Sequence, residues 1–197
     1  MIVLNNFGNE AWFEECQRNG DAEIVNASTG TWPGLIQLLT TVPIDRRDCY
    51  FTNAYVGLLK GDEDLLRDLP GTRRDAHFRQ ACEASLHQQL ALVRPKLVLP
   101  MGGRAVALLG RASPSLRKWV GPRFGERQFN EIDRDGAAYV RQAAFPQVGL
   151  TCSAVALTHP SMRNQGGRNA VVDGHRRVGG DAEHAMIRTA MGLQSLT

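Results

Sequence analysis

The stretch Val155-Ala156-Leu157-Thr158-His159-Pro160-Ser161-Met162-Arg163-Asn164 holds the residues best able to do chemistry. An imidazole stands where an apolar run of strand type ends, and a loop rich in Pro, Ser, Gly, Arg and Asn follows to Asn169. Proline disfavours helix at the residue before it, so His159 is expected extended at the C-terminal end of a strand. In open α/β sheets ligands bind at that edge. A titratable group there, beside Arg163 and Arg168, points to chemistry on something anionic. A histidine alone in such a place is more often structural, so its company matters. Asn6 (in Asn5-Asn6-Phe7-Gly8-Asn9) and Asn53 (after Cys49-Tyr50-Phe51-Thr52) stand at two other expected strand ends. Asparagine is a poor strand residue, although each also reads as ordinary turn chemistry. Gly102-Gly103, after a fourth apolar run, could open a helix whose free amides receive a phosphate. Close strand–helix packing explains that pair equally well, and neither a P-loop lysine nor a G-x-G-x-x-G pattern accompanies it.

The elements that would position these groups alternate along the chain. Strands are expected at 1–5, 49–53, 96–101 and 152–158, each near-continuously apolar, as when both faces of a parallel sheet are covered. Helices are expected over Trp32–Thr41, with Pro33 in the first turn, and over 73–93, where Phe78, Cys82, Leu86, Leu90 and Val93 recur at spacings of three and four. Arg94-Pro95 stops the second. A short helix is expected over 103–111, a helical turn around Ser115–Val120, and strand-like pieces near 126–131 and 137–145, paired as an antiparallel hairpin. The last helix is expected from Gly174 or His175 to about Met191. The economical architecture is one domain spanning 1–197: a three-layer α/β/α fold around a four-stranded, mainly parallel sheet.

Composition narrows the classes. The chain has 197 residues, 43% of them hydrophobic, enough for one real core. No run of about 18 apolar residues is present, so no membrane span is expected. The start of the sequence lacks the pattern of a secretory signal, which makes cytoplasm the default. Net charge is only +3, which permits a nucleic-acid partner without demanding one. The cations are mostly arginine, with lysine only at 60, 96 and 118, and clusters at Arg46/Arg47, Arg73/Arg74, Arg117/Lys118/Arg123 and Arg163 to Arg177. Arginine suits bidentate phosphate contacts, though solvated surface arginines explain any single cluster as well. The four cysteines, at 16, 49, 82 and 152, form no C-x-x-C pair, so no metal site is expected, and Cys49 and Cys152 read as small core residues.

The arrangement resembles the uracil-DNA glycosylase superfamily, over almost the whole chain. Tyr50-Phe51-Thr52-Asn53-Ala54 resembles the family's second strand, whose terminal asparagine reads the flipped pyrimidine. The segment from Gln89 through Arg94-Pro95 to Leu99-Pro100-Met101-Gly102 is similar to the helix–strand–glycine segment of bacterial branches. Thr158-His159-Pro160-Ser161 matches the second catalytic motif. The first motif departs: Leu4-Asn5-Asn6-Phe7-Gly8 is closer to the Asn-Pro-Gly version of the mismatch-specific and thymine-DNA glycosylases than to the Asp-Pro-Tyr version of uracil-specific members. Only Cys82 matches a ligand position of the iron–sulfur branches, and Gly57 stands where another is expected, so no cofactor is implied.

The resemblance implies a monomeric, monofunctional glycosylase acting on duplex or single-stranded DNA. It would flip a damaged or modified pyrimidine out of the stack, at a cost of about a few kcal/mol. Asn6 would hold the attacking water; His159 and the Phe7 and Gly8 amides would stabilise charge on base O2. Asn53 would read the base, with Trp12, Phe13 or Trp32 available to stack, each with an equally good core role. Arg163 would bind phosphate and Met162 fill the vacated space, with Ser161, Asn164, Arg168, Gly102 and Gly103 as further DNA contacts. No lysine lies near these motifs, so the product would be an intact abasic site. Gly8, in the tyrosine's place, removes a wall against C5 substituents. A modified cytosine in invading phage DNA is then one plausible target, which leaves a repair role and an antiviral role both open. Two other readings compete: a degenerate glycosylase fold that binds DNA or inhibits a partner without cutting, and a metal hydrolase using His159, Asp173 and His175, which lack a recognised ligand spacing.

Overall fold

A computed structural model describes residues 1–6, 10–19, 31–57, 76–122, 125–162 and 167–193. The strands are β1 (Ile2–Asn6), β2 (Phe51–Tyr55), β3 (Leu97–Pro100), β4 (Tyr139–Phe145), β5 (Leu150–Val155), β6 (Asn169–Val172) and β7 (His175–Val178). The helices are α1 (Glu10–Asn19), α2 (Thr31–Thr41), α3 (Ala76–Val93), α4 (Gly103–Ala112), α5 (Phe129–Arg134) and α6 (Gly179–Ala190). The sheet has the order β2-β1-β3-β5-β4, parallel except for β4, and helices flank it to give three layers. Ile2, Val3, Val98, Leu99, Ala154 and Val155 fill its centre, all at most 2% exposed. The thiol of Cys152 is buried too, which pushes its pKa up to about 11 and keeps it a neutral core group. Cys49 is half-buried against the same core.

α3 follows its periodicity: Cys82, Leu86 and Leu90 are buried at intervals of four. It stops where Arg94 turns left-handed (φ 43°) and its N–H returns to the Leu90 carbonyl, ahead of Pro95. The bounds of β2 fall two residues later than expected, leaving Asn53 at the middle of the strand rather than its end.

Three expectations are corrected. The sheet has five strands rather than four, because 139–145 joins it as an antiparallel edge against β5. Residues 126–131 form no hairpin with it; a helix over Phe129–Arg134 buries Ile132 and Asp133 instead. The last helix begins at Gly179, because Asp173 (φ 50°) and Gly174 (φ 81°) make a tight turn between the paired strands β6 and β7. The pairing of β4 with β5 is irregular, with a register shift between Val140 and Ala143. Ser113 Oγ donates to the Ala144 carbonyl at 2.6 Å, and Ser115 Oγ accepts the Ala144 N–H at 3.1 Å, from a 3-10 turn at Pro114–Trp119.

Candidate functional site

Hydrogen bonds carry the parallel register past the ends of β3 and β5: Met101 N–H donates to the Val3 carbonyl (2.8 Å), and Gly102 N–H to that of Leu157 (2.8 Å). Asn5, Gly102 and Thr158-His159 are thereby brought to one edge, the one expected from the sequence. They line a cavity of about 290 Å³ together with Gly103, Arg104, Glu126, Arg127, Gln128, Phe129 and Met162. Residue pairing places Asn53 beside Leu4, so alternation sets it on the opposite sheet face from Asn5. Neither Asn53 nor Trp32 lines this cavity. Asn53 Oδ1 is nonetheless buried and accepts no hydrogen bond among the described residues. A buried amide oxygen without a donor is costly, and a ligand's N–H would relieve it. Trp32 meets Phe51, ring centroids 5.7 Å apart, which is the core role weighed for it.

His159 is half-buried on the cavity wall, and burial lowers its pKa below the usual value. Its Nδ1 lies 2.7 Å from Ser161 Oγ and accepts the Ser161 N–H at 3.4 Å. A backbone amide can only donate, so Nδ1 is unprotonated and the proton of the neutral ring sits on Nε2. The turn that follows is held twice. Met162 N–H donates to the His159 carbonyl at 2.8 Å, and Pro160 lies so close beneath α2 that a Cβ on Gly34 would collide with its carbonyl oxygen. Ser161 and Met162 are exposed at the mouth.

Gly102 and Gly103 have specific neighbours. Gly102 is left-handed (φ 96°), and a Cβ there would stand 2.7 Å from Asn5 Oδ1, which itself accepts the Ala105 N–H at 3.3 Å. A Cβ on Gly103 would run into the Glu126 carboxylate, which also pairs with Arg104 Nε at 2.9 Å. The amino end of α4, for which the sequence leaves a phosphate site and close packing equally open, faces the Glu126 carboxylate. Arg127, the cavity's other cation, is committed to Asp135 at 2.6 Å and to the Lys118 carbonyl at 2.7 Å.

Arg168 contradicts its expected role as a DNA contact. Its side chain is 1% exposed and lies under the site. Nη2 and Nε grip Asp133 (2.6 and 3.0 Å), Nη1 donates to the Ala156 carbonyl (2.8 Å) and to Glu183 Oε1 (3.3 Å), and the guanidinium covers the Phe129 ring at 4.8 Å. Asp133 also accepts the Asn169 N–H, and Glu183 Oε1 accepts both the N–H and the hydroxyl of Thr158 at 2.7 Å. Three charges with every interaction directed inward are structural, not free for phosphate.

Phe7, Gly8, Arg163 and Asn164 lie outside the described residues; β1 includes Asn6 and α1 includes Trp12, but their side chains are not described. Asp173 and His175 sit at the β6–β7 turn, where Asp173 Oδ2 accepts from Thr189 Oγ1. Among the described residues no three His, Cys, Asp or Glu side chains gather as metal ligands. No helix among them is long and apolar enough to cross a membrane. Sequence reasoning missed Glu126, Asp133 and Glu183. Only Glu183 left a clear signal, an acid on the same helical stripe as buried Met186, Ile187 and Ala190.

The family model described as the uracil DNA glycosylase superfamily matches residues 32–174, well over half of the chain. No curated protein matches it.

Proposed function

The chain belongs to the uracil DNA glycosylase superfamily, and on that premise we propose that it hydrolyses the N-glycosidic bond of a flipped pyrimidine in DNA. The observation that carries the reading is His159: a half-buried imidazole at the strand end whose burial favours the neutral form, with Nδ1 occupied and no acceptor for Nε2–H among the described residues. As the C1′–N bond breaks, its electron pair leaves with the base and charge collects on O2, where the Nε2–H would stabilise it. Water bonds to C1′, and the proton it gives up passes to the departing base anion, so the products are an abasic site and the free neutral base. Asn6 would hold that water, and the Asn53 oxygen, which accepts no hydrogen bond among the described residues, would accept from the base edge. Asparagine cannot take a proton as a carboxylate can, so the step should be slower than in an aspartate enzyme. Gly8, from its type alone, leaves room at C5, and a C5-modified pyrimidine is the proposed substrate. The test is incubation with oligonucleotides carrying uracil, thymine or 5-substituted cytosines, with mass analysis of released bases. Release of uracil alone would sink the C5 reading. Tight binding with no release from any substrate would sink the enzyme.

Two further results are expected. Protonating Nδ1 would set a hydrogen against the Ser161 N–H, so excision should hold constant from pH 8 to about 6.5, the usual imidazole value, and fall only below it. Stability should follow the same direction. Above about 6.5 the ring is neutral in both states; below it the unfolded chain takes up a proton that the folded site resists, so stability declines. A rate midpoint above 6.5 would contradict this. Second, Glu126→Gln should tighten DNA binding about three- to tenfold at low salt, an advantage that shrinks as salt screens it. Unchanged affinity in a titration at two salt concentrations would show that the carboxylate does not oppose DNA.

A further inference from the structure

β5 has its last regular pairing at Val155, and its neighbour's register ends with the Met101–Leu157 bridge. Thr158 is the first residue beyond the ladder and the one before His159. Its N–H and hydroxyl are both taken by a single carboxylate oxygen, that of Glu183 on α6. Hydrogen bonds to a buried carboxylate are shorter and stronger than those to a neutral acceptor, so Thr158 is fixed by a side chain 25 residues away rather than by its own sheet. Downstream, the Met162 N–H and the Gly34 contact fix the other end of the turn. The same guanidinium that ties Glu183 to Asp133 also lies on Phe129, part of the cavity lining.

We propose that Glu183, tied through Arg168 to Asp133, is a positioning residue for His159: it holds Thr158 and thereby aims the imidazole, while Arg168 fixes Phe129 in the lining of the same cavity. The inference rests on the glycosylase reading for its consequence, but not for its geometry. A group misplaced by about 1 Å loses roughly 100-fold in rate, so the clamp's effect should fall on the chemical step and leave substrate affinity alone.

Single-turnover excision by Glu183→Ala, Glu183→Gln and Thr158→Val tests it, each also made with His159→Ala. The expected result is about a 30- to 100-fold slower step for Glu183→Ala, with the DNA Kd changed less than about threefold. Glu183→Gln keeps an oxygen for both Thr158 groups and should recover most of the rate. In the His159→Ala background none of the three should cost more. Losses that add to that of His159→Ala, or that appear in Kd with the rate intact, would overturn the proposal. Thr158→Val removes one bond and keeps all three charges, so it decides the question if Glu183→Ala does not fold. Should the wild-type protein release no base, the glycosylase reading falls and an NMR titration of His159 judges the clamp alone. Arg104, Glu126 and Arg127, the charges lining its cavity, are unchanged in these variants. Loosening Thr158 should then move the midpoint up towards the usual value of about 6.5. A midpoint that stays where it was would overturn the clamp.

Discussion

Arg168→Ala is expected to cost about 3 to 5 kcal/mol of unfolding free energy, because it strands two buried carboxylates without their counter-charge. Asp133 and Glu183 are each at most 4% exposed, so both carboxylates would lose their counter-charge while buried. In a chain of this size that corresponds to a fall in Tm of roughly 6 to 20 °C, readable by thermal or urea unfolding. Arg168→Lys should recover little, since one ammonium cannot reproduce the fork on Asp133 together with the contacts to Ala156 and Glu183. Replacing all three charges with apolar residues often restores stability at such sites, but not here. The carboxylates also accept the Thr158 and Asn169 N–H groups, and each orphaned amide would cost about 1 to 3 kcal/mol. A loss below 1 kcal/mol for Arg168→Ala would mean that the clamp does not hold in solution. Had the residue bound phosphate, its removal would have flattened the salt dependence of DNA binding and left stability alone.

His159→Ala should slow base release by about 100- to 1,000-fold in single turnover, the measured range for deleting one donor to a developing oxyanion. The affinity for intact substrate should change little, because the charge on O2 exists only as the bond breaks. His159→Gln, whose amide offers a donor at a different angle, should fall between the two. Equal rates for wild type and His159→Ala would remove the imidazole from the chemistry. A matching loss of affinity would make it a binding group instead.

Much of this was legible in the sequence because parallel strands buried on both faces leave uninterrupted apolar runs. Val98–Leu99 and Ala154–Leu157 announced themselves, and Pro160 dictated how His159 leaves the sheet. The β6–β7 hairpin was legible and overlooked: Asp173-Gly174 between Val171-Val172 and His175 to Val178 is a strong hairpin signal, masked by a helical pattern beginning just after it. β4 was assigned to the wrong partner because local sequence reports a strand's existence, not its neighbour. Arg168 could not have been read correctly from its surroundings. Flanked by Gly166, Gly167 and Asn169, it looks like a loop cation, and only Asp133 and Glu183, 35 and 15 residues away, turn it inward. Glu126 has the same history, since nothing local says that its carboxylate will face the start of α4.

The serines at 113 and 115 have a consequence beyond packing. β4 is one of the sheet's two outer strands, and an unpaired edge is where a second chain can add itself and begin an aggregate. At Ala144 both backbone groups are already taken, by the two hydroxyls of the adjoining turn, and the register shift against β5 between Val140 and Ala143 bends the strand, which spoils its open edge as a straight template. The protein thus carries its own stop against lateral sheet growth on that side. Replacing both serines with alanine would reopen it.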